Sequence, residues 1–151
     1  MAASLVVSAI GLASCDGGAP PVAPGTPGGI QVAGTYALVR SLLSNNCVPE
    51  IPGATAPVTG VVTQSGDRFT LRNSDTGVFD AQLQADGSFT NGKQRLVGAA
   101  GESYDLLFEG RFSSTGFRAT VTVDLFRSTG TCTSSLDWQA TKQGPPNFIP
   151  Q

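Results

Sequence analysis

Histidine is absent from the chain, and charged side chains are scarce. Histidine is the commonest general base near neutral pH and the commonest metal ligand, so its absence argues against Ser-His-Asp hydrolysis and histidine-bound metals. Charged residues make up 13 % of the sequence, where an average soluble domain has about 25 %. The nine basic and eleven acidic residues are scattered along the chain, so no basic patch is available for nucleic acid.

A short apolar run, Leu5–Leu12, lies near the N-terminus and is followed by two small residues and Cys15. The run is too short to cross a bilayer, which takes about 20 residues, but it suits the core of a signal peptide. Leu12-Ala13-Ser14-Cys15 resembles the lipobox of bacterial lipoproteins, although no Lys or Arg precedes the apolar core. The resemblance implies that residues 1–14 are removed and that Cys15 carries the lipid.

Residues 15–29 connect this segment to the rest of the chain. After Cys15 the sequence reads DGGAPPVAPGTPGG, which is dominated by Gly and Pro and contains no aromatic residue. Such a stretch buries too little apolar surface to offset the entropy lost on ordering. It predicts a disordered tether that holds the folded body away from the lipid surface; the alternative is a surface loop of the domain.

From Ile30 onward, apolar and polar residues alternate and turn signals recur about every ten residues, a pattern typical of a β-sandwich or β-barrel. We predict a β-domain over residues 30–142 and a C-terminal tail over residues 143–151. The pattern predicts eight strands: Thr35–Leu42, Val58–Gln64, Arg68–Arg72, Val78–Gln84, Ser88–Leu96, Ser103–Phe112, Phe117–Arg127 and Thr131–Thr141.

All connections except the first are short, which favours an up-and-down meander. Eight meandering strands can close into a barrel, which removes both exposed edges. We therefore predict an all-β fold, a small antiparallel eight-stranded up-and-down barrel. Gly34-Thr35-Tyr36 resembles the Gly-X-Trp that opens the first strand of lipocalins, and the meander is similar to lipocalin and avidin-like barrels. This likeness is architectural and transfers no binding residues.

Two cysteines remain once Cys15 is assigned to lipid. An unpaired thiol is unfavourable in an exported protein, so we predict a disulfide between Cys47 and Cys132. In a closed meander the end of the first strand lies beside the start of the last, which is where these two residues fall. The disulfide would clamp the seam of the barrel.

No residue pattern indicates a catalytic site, a metal site or a bound cofactor. The four carboxylates of the C-terminal strands alternate onto the polar face near Arg111, Arg118 and Arg127, which favours exposed ion pairs over the paired acids of a glycosidase; they are Asp105, Glu109, Asp124 and Asp137. Residues 73–77 have side-chain oxygens at alternate positions, as in a calcium-binding loop. They lack the distant Glu that completes an EF-hand site, so we predict a turn.

Phe108, Phe112 and Trp138 are predicted on the inner face, as core residues or as the lining of a ligand site. Small inward residues can open a cavity or allow tight packing around aromatics, and we expect a filled interior; these residues are Gly60, Gly110, Ala119 and Ala140. The long first connection, Leu43–Ala56, is a candidate lid or interaction loop.

The leading functional hypothesis is a non-enzymatic lipoprotein of the bacterial envelope, anchored on the outer-membrane or periplasmic side. It would act by contact with another protein, for example as an accessory subunit of a membrane complex. The alternative is a carrier or sensor of a small apolar ligand in the barrel mouth, and an enzyme ranks third.

Overall fold

The structure is a computed structural model that describes residues 29–47, 57–74, 77–97 and 102–150. The predicted signal segment, Cys15, nearly all of the tether and residues 48–56 of the first connection lie outside the described residues. Every regular element within the described ranges is a β-strand: β1 Gly34–Asn45, β2 Val58–Ser65, β3 Arg68–Asn73, β4 Gly77–Leu83, β5 Ser88–Thr90, β6 Gln94–Val97, β7 Ser103–Ser113, β8 Gly116–Arg127 and β9 Gly130–Gln143.

The strands follow one another around a closed antiparallel barrel. β1 pairs with β2 on one side and with β9 on the other, so the first and last strands meet at a seam. β5 pairs with both β4 and β7, which closes the circle of strands. Because β5 and β6 lie in succession along the same edge of β7, the nine strands occupy eight positions. The predicted eight-stranded up-and-down barrel is confirmed.

The predicted fifth strand, Ser88–Leu96, is interrupted between β5 and β6. The Asn91 backbone N–H donates to the Phe108 carbonyl over 3.0 Å, and the Asn91 side-chain oxygen accepts from the Phe108 N–H at 2.8 Å. Gly92 then adopts a φ of +63°, a left-handed conformation that glycine reaches without strain. The chain therefore leaves the regular ladder after β5 and resumes it as β6.

β7 and β8 form the hairpin that the alternation predicts. Phe112 pairs with Phe117 beside the turn, and Phe108 pairs with Val121 further along. Inward positions on both strands are apolar, whereas outward positions carry most of the polar side chains, because successive residues of a strand point to opposite faces. The register is therefore fixed by the burial of one face.

Aromatic side chains fill the interior of the barrel. The Phe108 ring centroid lies 5.0 Å from that of Phe89 and 5.2 Å from that of Phe79. Trp138 lies 5.8 Å from Phe108, and Phe112 lies 5.1 Å from Phe89. Each aromatic side chain removes about 150–250 Å² from water on burial, so this cluster dominates the apolar energy of the core.

Inward glycines allow the aromatic and aliphatic side chains to reach the wall. A Cβ added at Gly110 would lie 2.8 Å from the Phe89 ring and 2.7 Å from the Ala119 Cα. A Cβ added at Gly60 would lie 2.4 Å from the Leu38 side chain. The space at these two positions is therefore already occupied by neighbouring groups, and the small residues serve tight packing.

A disulfide joins the two strands of the seam. Cys47 follows the end of β1 and Cys132 lies near the start of β9, with their Cα atoms 5.0 Å apart. This separation lies within the range of about 4.4–6.8 Å that a disulfide spans. The predicted Cys47–Cys132 bond is confirmed, and it links the end of the first strand to the last, as the closed meander requires.

The residues after β9, assigned by sequence to a C-terminal tail, lie across one end of the barrel. Phe148 forms a two-way backbone bridge with Gln31, and the Asn147 side chain is buried. Asn147 Nδ2 donates to the Ser113 carbonyl at 2.7 Å, and Asn147 Oδ1 accepts from Lys142 Nζ at 2.6 Å. This segment therefore closes the end of the barrel.

Candidate functional site

The three residues predicted as core or ligand-lining lie together in the filled aromatic cluster. Phe108, Phe112 and Trp138 are each at most 3 % exposed. Two depressions lie on the barrel wall: one runs along β2 and β3 beside Asp80 and reaches Phe69, and the other lies over Gly110 between Glu109 and Arg118 and reaches Phe89. Neither depression is lined by the three predicted residues. The described residues thus assign these three side chains to the core.

A charged side chain of β1, Arg40, lies on the inner face. Arg40 pairs directly with Trp138 across β1 and β9 and is only 6 % exposed. Its guanidinium carbon lies 5.7 Å from the centre of the Trp138 ring, within the range of a cation–π interaction. The sequence analysis missed Arg40, although its spacing from Tyr36 and Leu38 was a signal that it faces inward.

Two polar side-chain atoms of β9 are buried without a hydrogen-bond partner among the described residues. They are Trp138 Nε1 and Ser134 Oγ. A buried polar group that makes no hydrogen bond costs roughly 1–3 kcal/mol, so each is a position where a ligand or a water molecule would be stabilising. Both residues share the inward parity of β9; Ser134 lies near the end of the barrel that carries the disulfide, whereas Trp138 lies near the middle of the strand.

Four charged residues on the outer face form a connected group, here called the carboxylate clasp: Lys93, Arg95, Asp105 and Asp124. Asp105 and Asp124 pair directly across β7 and β8. Lys93 Nζ lies 2.7 Å from Asp124 Oδ2 and 3.8 Å from Asp105 Oδ2. Arg95 binds Asp105 through two nitrogens, and its guanidinium carbon lies 4.3 Å from the Phe126 ring centre. Two adjacent carboxylates are thus neutralised by two cations from β6 and the residue before it.

The clasp keeps both of its carboxylates ionised. The hydrogen bond from Arg95 holds the pKa of Asp105 below its ordinary value, against the raising effect of desolvation. Hydrogen bonds from Lys93 and then Thr133 lower the pKa of Asp124. A general acid in glycoside hydrolysis needs a raised pKa, so this pair is tuned in the opposite direction.

Of the three arginines predicted beside these carboxylates, Arg118 contacts one of them, whereas Arg111 and Arg127 contact other acids. Arg111 binds Asp86, and Arg127 Nε lies 3.4 Å from Glu102. Arg118 approaches Asp137 at 3.9 Å. The four carboxylates point outward as predicted, but Asp105 is only 9 % exposed, so its ion pair is not the exposed one expected. Lys93 and Arg95 are the cations closest to Asp105 and Asp124, because the broken fifth strand brings them over β7 and β8.

The oxygen-rich turn predicted at residues 73–77 is described only at its ends. Asn73 ends β3 and pairs with Gly77, the first residue of β4, whereas Asp75 and Thr76 lie outside the described residues. Within the described ranges, no group of three or more His, Cys, Asp or Glu side chains is placed to hold a metal ion. The same ranges contain no helix with the length and apolar character needed to cross a membrane.

The chain matches no protein-family model, no curated protein and no solved structure. Its function must therefore be inferred from the fold, from the side chains and from the lipobox resemblance.

Proposed function

We propose that this chain is a lipid-anchored protein of the bacterial envelope whose barrel acts by contact with another protein. The lipobox resemblance at Leu12–Cys15 supports the anchor, and the Gly- and Pro-rich tether would give the folded body reach above the membrane. The disulfide supports an oxidising compartment outside the cytoplasm.

The observation that carries the contact function is the filled interior. Phe108 lies at the centre of a buried cluster of aromatic rings, and the inward glycines are covered by neighbouring side chains. An interior packed with aromatic side chains favours action through the outer surface over binding of a ligand inside. Large apolar side chains are exposed on that surface: Val39, Leu42, Leu43, Val61, Val78, Val97 and Phe148.

The experiment is site-specific photo-crosslinking in a bacterial envelope that retains the natural partners. A photoreactive residue replaces one exposed valine at a time, at Val39, Val61 or Val97. We expect a discrete crosslinked product from at least one position, and its loss in the Cys15→Ser variant, which lacks the anchor. The absence of any product at all three positions would argue against a contact function.

A second candidate is a carrier or sensor of a small apolar ligand. Its support is the pair of unpartnered polar atoms, Trp138 Nε1 and Ser134 Oγ, together with the buried guanidinium of Arg40. A largely apolar ligand with one hydrogen-bond acceptor would suit these groups. Quenching or shift of Trp138 fluorescence by such a ligand would favour this candidate over contact.

A further inference from the structure

The barrel wall has a gap beside β6. β6 pairs with β7 alone, and β4 pairs with β5 only through Gln82 and Leu83. Within the described ranges, the β4 stretch Gly77–Ala81 therefore has no ladder partner on the side away from β3. β4 and β6 run antiparallel, and their unpaired edges border the same opening, here called the wall gap. Such edges present backbone N–H and C=O groups that can pair with another strand.

The side chains at the wall gap are unusually apolar and exposed. Val97 is 75 % exposed, the largest value for any large apolar side chain among the described residues, and Val78 on the β4 side is 48 % exposed. Gln94 and Leu96 pair with Leu106 and Tyr104, so they share the inward face. Gln94 is nevertheless exposed and Leu96 only half-buried, so solvent reaches the inner face along β6.

The carboxylate clasp holds β6 firmly on its other side. Charged residues on an edge strand usually protect it against pairing with another strand. Here Arg95 binds Asp105 on β7, and Lys93 binds Asp124 on β8. Both cations therefore point back towards β7 and β8. The ion pairs hold β6 in position, and neither cation points into the wall gap.

We propose that the wall gap binds an extended peptide segment of a partner protein, which enters as a strand beside β6 and β4. The proposal rests on the contact function above and names the surface and the chemistry of the partner. Main-chain hydrogen bonds would provide affinity, and side chains at alternate positions would provide specificity. Inward positions of the segment would contact Leu96 and Leu106, and outward positions would contact Val78 and Val97, so apolar residues suit both faces.

The two facing edges select a free segment over a second copy of this chain. A strand that enters the gap can pair with β4 on one side and β6 on the other only if neither of its own edges is already bonded within its protein. The β6 strand of a second copy is already bonded to its own β7, so it offers one edge over 4 residues. Pairing with a second copy would therefore leave the facing edge of β4 uncovered, whereas a free extended segment can pair with both edges.

The test measures amide hydrogen exchange of the full chain with a fixed probe, a short peptide that alternates Val and Thr. We expect the amides of β6 and of Val78–Asp80 that point into the wall gap to exchange about tenfold more slowly when about 90 % of the sites are occupied. A peptide of the same length with proline at its centre should protect neither edge, because proline lacks the N–H and disrupts the ladder.

Matched variants locate the effect. Val97→Lys and Val78→Lys should abolish the protection, because each places a charge beside the open edge. Val61→Lys should preserve it: Val61 is 44 % exposed on the same outer face, but β2 is paired on both sides. Equal loss in all three variants would overturn the proposal.

Three further results would overturn the proposal. One is the absence of protection by the alternating peptide, since main-chain pairing does not depend on a particular sequence. Another is slow amide exchange at both edges in the absence of peptide. If that slow exchange persists when the protein is diluted, a segment of this chain fills the gap. Protection that disappears on dilution would indicate a second copy. None of these results affects crosslinking from Val39 or Val61 in the envelope, so failure of the contact function remains distinguishable.

Discussion

The hydroxyl of Tyr36 lies 2.7 Å from Asn147 Oδ1, although 111 residues separate the two along the chain. The same hydroxyl lies 2.5 Å from the Val32 carbonyl, and Lys142 Nζ lies 5.6 Å from the centre of the Tyr36 ring. Burial raises the pKa of Tyr36 and lowers that of Lys142. Tyr36, Asn147 and Lys142 thus form a polar cluster that connects the segment after β9 to β1. Through it, the first and last parts of the described barrel stabilise each other.

Replacing Asn147 with Ala should destabilise the fold by about 1–3 kcal/mol. The variant loses the donors to the Ser113 and Gly116 carbonyls and leaves buried polar atoms without partners. The urea midpoint should fall with little change in the slope of the transition. Gln143→Ala, at an exposed position, should change the stability by less than about 0.5 kcal/mol. Equal effects of the two substitutions would contradict a structural role for Asn147.

Removing the disulfide should also destabilise the barrel. Cys47 and Cys132 close a loop of 85 residues, for which the chain-entropy estimate is roughly 4 kcal/mol. The Cys47→Ser, Cys132→Ser double variant should therefore unfold at a much lower urea concentration than the oxidised chain. Reduction of the native chain should give the same midpoint as the double variant. An unchanged midpoint after complete reduction would show that β1 and β9 hold the seam by pairing alone.

Much of the fold was predictable because burial imposes a strict alternation on antiparallel strands. The pairings Phe112 with Phe117 and Phe108 with Val121 follow from a hairpin turn between two alternating strands. The cysteine pairing follows from where the strands begin and end. Asn91 was the exception: its side chain bonds the Phe108 N–H, and this replacement of a ladder contact splits one strand into β5 and β6.

The outer-face ion pairs were less predictable, since they depend on that break. Lys93 and Arg95 lie in the predicted fifth strand, Ser88–Leu96, and their approach to Asp105 and Asp124 requires the register of β6 on β7. Asn147 belonged to a stretch without alternation, so no periodic signal indicated its burial. Tertiary contacts of this kind leave no pattern in the local sequence.

The carboxylate clasp should make stability depend on pH in the acid range. The pKa of Asp105 and that of Asp124 are lowered in the folded barrel, so their contribution is present above the unfolded value of about 3.9. It is lost as pH falls through the lower folded values. The urea midpoint should therefore decrease with acid, and less steeply in Asp105→Asn. An acid dependence of Asp105→Asn as steep as that of the native chain would contradict this assignment.

The lipobox resemblance predicts that Cys15 carries lipid and that residues 1–14 are absent from the mature protein. Mass spectrometry of the mature N-terminus should show an acylated Cys15. The Cys15→Ser variant should leave the membrane fraction or stay unprocessed, whereas Cys47→Ser should remain in the membrane. An unmodified Cys15, or a mature chain that begins at Met1, would contradict the prediction.

The filled interior predicts that the native barrel excludes small apolar molecules until space is created at its centre. Phe108→Ala should cost about 3–5 kcal/mol, because the lost ring leaves a cavity among Phe79, Phe89 and Trp138. An apolar cavity of this kind binds small apolar molecules such as benzene, so added benzene should raise the thermal midpoint of the variant and leave that of the native chain unchanged. Trp138 is the single tryptophan, and its fluorescence reports on the same space. A comparable rise in the native chain would instead show that the native interior holds a ligand-sized cavity, and it would favour the carrier over the contact protein.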